Sequence, residues 1–139
     1  MDQKKSKNPS PRIKVIQKIY NFLMNPNSEI NFPKNQYKKF IKDVVNGTIE
    51  RNELIEDEIS NYLNDDINLK KIDKVFQIII KCAIFELLYK PRTSTKIIIK
   101  EYLLASNFFI DISQTKYLNA LLDKISKKIR NSNGWILFN

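Results

Sequence analysis

The sequence predicts an all-α fold, and three observations predict it. Two glycines and five prolines punctuate 139 residues, too few for an all-β domain, which needs a turn signal every dozen residues or so. Apolar residues recur at helical intervals along most of the chain. One segment, from Ile72 to Lys90, is apolar round nearly its whole circumference and is longer than an ordinary strand. A chain of this length forms one domain and buries a core without needing disulfides or metal. Its 42% hydrophobic and 28% charged residues are those of a globular protein rather than a disordered one.

The elements follow in order. A polar arm, residues 1–11, contains the break NPSP. Ile13, Ile16, Ile19, Tyr20 and Leu23 then mark a first amphipathic helix ending near MNPNS, with Lys14, Gln17, Lys18 and Asn21 on its opposite face. A second helix starts near Gln36, after Pro33, with Tyr37, Phe40, Ile41 and Val44 inward. Gly47 lies within or at the end of it. A mid-helix glycine costs about 1 kcal/mol against alanine, so it is either a C-terminal cap or a place of close backbone approach.

A third helix runs from about Glu50 to Leu63 on a stripe of Leu54, Ile55, Ile59 and Tyr62. In the Ile72–Lys90 segment only Gln77 and Lys81 fall clearly outside the apolar surface, which marks a central helix with neighbours on most sides. The isoleucine triplets here and at Ile97–Ile99 carry β-propensity, and buried strands are the alternative. PRTSTK breaks the chain and supplies hydroxyls for the start of a helix from Thr95 to about Phe108. A last helix spans Ser113 to about Arg130, burying Leu118, Leu121, Leu122, Ile125 and Ile129. The chain thus divides into an arm (1–11), a helical domain (12–130) and a tail (131–139) whose WILF run can fold back onto the body.

Composition removes several chemistries. Without histidine, the commonest general base and metal ligand are missing. The one cysteine, Cys82, lies in an apolar run and reads as a small buried hydrophobe in a reducing cytoplasm. No phosphate-cradling glycine loop and no nucleophile elbow is present. The expectation is a binding protein, not an enzyme, with no catalytic residue, cofactor or metal. No stretch has the length and apolarity of a membrane span, and no signal-peptide core follows the charged N-terminus.

The net charge of +9 points toward a polyanion. A/T-rich coding would also enrich lysine, isoleucine and asparagine, but the signs are segregated. Lys4, Lys5, Lys7, Arg12, Lys14 and Lys18 crowd the first twenty residues, and Lys116, Lys124, Lys127, Lys128 and Arg130 the last helix. An acidic tract, Glu50 to Asp66, lies between. At 100° per residue Tyr117 falls at the margin of the last helix's buried stripe, beside Lys116. A ring there either caps the core with its hydroxyl in water or is offered outward to stack an unpaired base.

The segments FELL (Phe85–Leu88), KIIIKEYLLASNFF (Lys96–Phe109) and KYLNALLDKISKKIR (Lys116–Arg130) resemble the NusB family of bacterial transcription antitermination factors, with the interval from Glu101 to Asn119 matching without a gap. VIQKIY (Val15–Tyr20) and FIKDVVNG (Phe40–Gly47) are similar to the family's N-terminal patterns. The resemblance implies six or seven helices in two packed bundles. It also implies binding to boxA-type single-stranded RNA of ribosomal RNA leaders, together with the ribosomal protein NusE, within an antitermination complex with RNA polymerase. Carried over by position, Arg12, Lys14, Gln17, Lys116 and Tyr117 are the implied RNA contacts, and Tyr20 contributes to the NusE side. Here Lys100, Ala120 and a lysine-rich arm replace the family's Asn, Gly and arginine-rich arm. Other functions compatible with the same helices are a protein-interaction module that binds no RNA and an accessory subunit of an RNA-modifying enzyme.

Overall fold

The structure, a computed structural model, describes residues 10–63 and 72–131. Among the described residues there are six helices: α1 (Pro11–Met24), α2 (Lys38–Glu50), α3 (Asn52–Leu63), α4 (Lys74–Tyr89), α5 (Thr95–Ser106) and α6 (Ile112–Ile129). Four of them begin on a side-chain cap that satisfies an otherwise unpaired N–H. Ser10 caps α1 with Pro11 at its first position, Asp73 caps α4, and Ser94 caps α5. Asp111 and Gln114 close a reciprocal capping box on α6.

α4 is central, as its all-round apolar pattern predicts. Each of the other five helices packs on it, and they also touch in sequence round it: α1 on α2, α2 on α3, α3 on α6, α6 on α5 and α5 on α1. The α1–α2 and α5–α6 groups therefore share one axial helix. Ile78, Ile79, Ile80, Cys82, Ala83, Ile84 and Leu87 are sealed inside this ring. Burial pushes the Cys82 thiol far above its usual range, so it stays a neutral filler.

Several inside–outside assignments differ from the pattern reading, among them Tyr20 and Leu23 of the α1 stripe, which are exposed. Gln77 is buried, because its side-chain amide donates to the Ile72 carbonyl ahead of α4 (2.9 Å). Leu54 is 46% exposed, since the stripe of α3 centres on Ile55 and Ile59 and Leu54 lies 100° off it. Tyr37 is the N-cap residue of α2 and stays at the surface. Lys81 reaches out of α4 to Asn52 and Glu56 (2.7 Å each), tying α3 to the axis. The WILF tail, the arm's lysines and Asp65–Asp66 lie outside the described residues.

Gly47 is neither a cap nor a backbone crossing. It lies inside α2 beneath the ring of Phe85, and a Cβ there would come within 2.3 Å of two ring carbons. Gly47→Ala must displace a buried ring that also packs on Tyr89. The strain, about 1–3 kcal/mol for overpacking, outweighs a helix-propensity gain of at most about 1 kcal/mol. A net loss of about 1–2 kcal/mol is expected in urea unfolding, with an unchanged or raised midpoint as the contrary result.

Candidate nucleic-acid interface

α6 carries two of the expected contacts. Its capping box fixes the start of the helix, and the Gln114 N–H and Ser113 hydroxyl hold the Asp111 carboxyl below its usual range, so a negative charge stays at the helix N-terminus. Leu118, Leu121 and Leu122 root the helix in the core. Lys116 and Tyr117 face outward. The Tyr117 ring is 44% exposed, and one face stacks on Phe76 of α4 (centroids 5.7 Å apart, planes at 28°). Tyr117 thus combines substantial solvent exposure with a contact to the core.

Arg12 is not placed where the resemblance implies. Its guanidinium is buried, donating from Nε and Nη to the two carboxylate oxygens of Glu86 (2.9 and 2.6 Å). The Tyr102 hydroxyl donates to the same carboxylate, and the guanidinium lies over the rings of Phe40 and Tyr102. Burial alone would lower the Arg12 pKa, but the Glu86 hydrogen bonds and charge outweigh it and the net shift is upward. Burial, then the Glu86 charge, push the Tyr102 phenol well above its usual value, keeping it a donor. Arg130, counted with the basic face of α6, is likewise buried and turned inward onto backbone carbonyls.

On α1, Lys14 is half-buried, Gln17 is exposed and Tyr20 is 36% exposed. α1 runs antiparallel to α4: Arg12 meets Glu86, whereas Ile19 and Leu23 line a cavity of about 490 Å³ with Gln77 and Ile78. Tyr20 therefore belongs to the same end of the bundle as Phe76 and Tyr117. Arg12 lies ten residues further along α4, about 15 Å at 1.5 Å per residue.

α1 and α6 share no extensive contact with each other. α5 stands between the two helices. Thr115, Asn119, Asp123 and Ser126 mark the side of α6 that lines a groove of about 970 Å³ with α5, and Tyr117, at 200° from Thr115, lies nearly opposite. Asn119 is exposed in that groove. In the acidic tract, Glu56 is bound to Lys81. Among the described residues no group of three or more potential ligands is placed to hold a metal ion, and no helix is long and apolar enough to cross a membrane.

The sequence pattern of the NusB family matches residues 6–127. The chain belongs to the NusB family. It is 28% identical over 92 residues to the transcription antitermination protein NusB of Rhizobium etli (strain CIAT 652), covering 66% of this chain and 58% of that protein. It is 26% identical over 122 residues to the protein of that name from Rickettsia massiliae, covering 82% of this chain and 76% of that one. The matched stretch is thus little more than half the length of the rhizobial NusB. A solved structure of T. maritima NusB superposes with a TM-score of 0.72 at 21% identity, over 88% of this chain and 94% of that one. The all-helical NusB fold read from the sequence is the one observed.

Three residues that organise this NusB fold escape a reading by pattern. Glu86 is the only carboxylate within the apolar run of α4, and that is its signal. Tyr102, fully buried on α5, and Phe76, counted only as core, give no signal of their own.

Proposed function

We propose that this chain is an RNA-binding factor of transcription antitermination, recognising a boxA-type single-stranded segment of ribosomal RNA leaders together with NusE. It acts in the cytoplasm, in a complex with RNA polymerase. The observation that carries the reading is Tyr117, stacked on Phe76 of the core yet 44% exposed, beside exposed Lys116 in a chain of net charge +9. An open π-face accepts an unpaired base, and lysines neutralise the phosphates on either side.

In this reading Lys116 and Tyr117 form the centre of the RNA contact. Lys14 and Gln17 are reached by a strand that passes round the end of α5. Arg12 acts from within, fixing the start of α1 and so the departure point of the basic arm. Tyr20, with the exposed Leu23 and Met24 at the end of α1, is assigned to the protein partner.

The test is a titration of labelled boxA-type RNA at several salt concentrations, with and without NusE. Single-strand binding should weaken with a log–log slope of about −0.7 per phosphate contacted. Tyr117→Ala should cost about 1–3 kcal/mol of RNA affinity, while the lost contact with Phe76 costs about 0.5–1.5 kcal/mol of stability. Tyr117→Phe should retain both. Salt-independent or absent RNA binding, or a Tyr117→Ala variant that binds like wild type, would sink the reading.

A further inference from the structure

We infer that Phe76 is a positioning residue of this RNA site: it holds the Tyr117 ring in place before RNA arrives, so that an unpaired base becomes the third layer of a Phe76–Tyr117–base stack. This rests on the RNA-binding reading above and adds a residue on a different helix to it. A tyrosine on an exposed helix face is free to choose among rotamers, and ordering it on binding costs affinity. Here the ring already has a partner. Phe76 is 2% exposed, and its ring lies 5.7 Å from that of Tyr117 at 28°.

Phe76 is itself held firmly. It occupies the first turn of α4, where the Asp73 carboxylate accepts from the Val75 N–H (3.1 Å) and the Gln77 side chain donates to the Ile72 carbonyl (2.9 Å). On the other side, Leu118, immediately after Tyr117, is fully buried and fixes the backbone that presents the ring. The order runs from a capped helix start to a buried ring to a ring that is 44% exposed. A neighbour that supports a ring from behind leaves the free face for whichever base is unpaired, because every base has a π-face.

The experiment is a double-mutant cycle on RNA affinity with Phe76→Leu and Tyr117→Ala, each variant first checked for a cooperative thermal melt. Phe76→Leu should weaken binding about 2- to 12-fold, the effect of freeing one side chain. In the Tyr117→Ala background it should have no further effect, since Phe76 acts only through that ring. Phe76→Tyr, which keeps an aromatic platform, should bind within about twofold of wild type. Should Phe76→Leu fail to fold, the Phe76 ring-current shift on the Tyr117 ring protons, measured by NMR in the wild type free and RNA-bound, is the second readout. It should be present in both states. Equal losses from Phe76→Leu in both backgrounds, no loss in either, or a Tyr117 ring that leaves Phe76 on binding would overturn the inference. If Tyr117→Ala alone leaves affinity unchanged, the RNA reading itself falls, a distinct result.

Discussion

Arg12→Ala should lower the free energy of unfolding by about 3–5 kcal/mol, the usual cost of removing one partner of a buried ion pair. The reason is what remains. Glu86 is fully buried, and without the guanidinium its carboxylate keeps only the Tyr102 hydroxyl as a partner among those described. The guanidinium also fills space over Phe40 and Tyr102, so its removal opens a void where α1, α2, α4 and α5 meet. Arg12→Lys should recover little, because an ammonium cannot make the two-pronged contact or cover the rings. Replacing the pair together, as Arg12→Met with Glu86→Leu, should restore much of the loss, since no charge is then stranded. Urea unfolding at neutral pH measures all three. A stable Arg12→Ala protein that no longer binds RNA would mean that this arginine is a surface contact after all.

Arg130→Ala comes next, with an expected loss of about 2–4 kcal/mol from several charge-assisted hydrogen bonds to backbone carbonyls, of which those of Glu86 and Lys90 keep a backbone N–H partner. The last carbonyls of a helix lack partners within it. Arg130, arriving from the end of α6, donates to the carbonyls of Leu87 and Lys90 (3.0 Å each), of Glu86 (3.4 Å) and of Thr93 in the following turn (2.6 Å). Its charge also lies at the negative end of the α4 dipole. Burial lowers its pKa, and the Glu86 charge offsets part of that. Besides the lower unfolding midpoint, faster amide hydrogen exchange should be confined first to the last turn of α4. Unchanged exchange there would contradict the capping role.

The helices were legible because their signals are local. The apolar circumference of α4, the hydroxyls ahead of α5 and the stripe of Leu118, Leu121 and Leu122 each need only a dozen neighbouring residues to interpret. The two arginines were not, because their partners lie far off in sequence: 74 residues separate Arg12 from Glu86. A basic residue in a basic stretch looks like a surface charge. Arg12 nonetheless sits in register with buried Ile16 and Ile19, four and seven positions on, where a solvated charge does not belong. For Tyr117, spacing gave the margin of the stripe correctly, but the ring behind it comes from α4 and is set by packing alone. No periodicity tells, either, that α5 is inserted between α1 and α6.

The closed ring round α4 bears on how the chain matures at the ribosome. When synthesis has delivered residues up to Lys90, the axle has α1, α2 and α3 beside it but lacks both helices of its remaining flank. Glu86 then has Arg12 but not Tyr102, and the wall that α5 and α6 will cover faces water. The last stretch of sequence is therefore needed to close the core that the earlier helices begin.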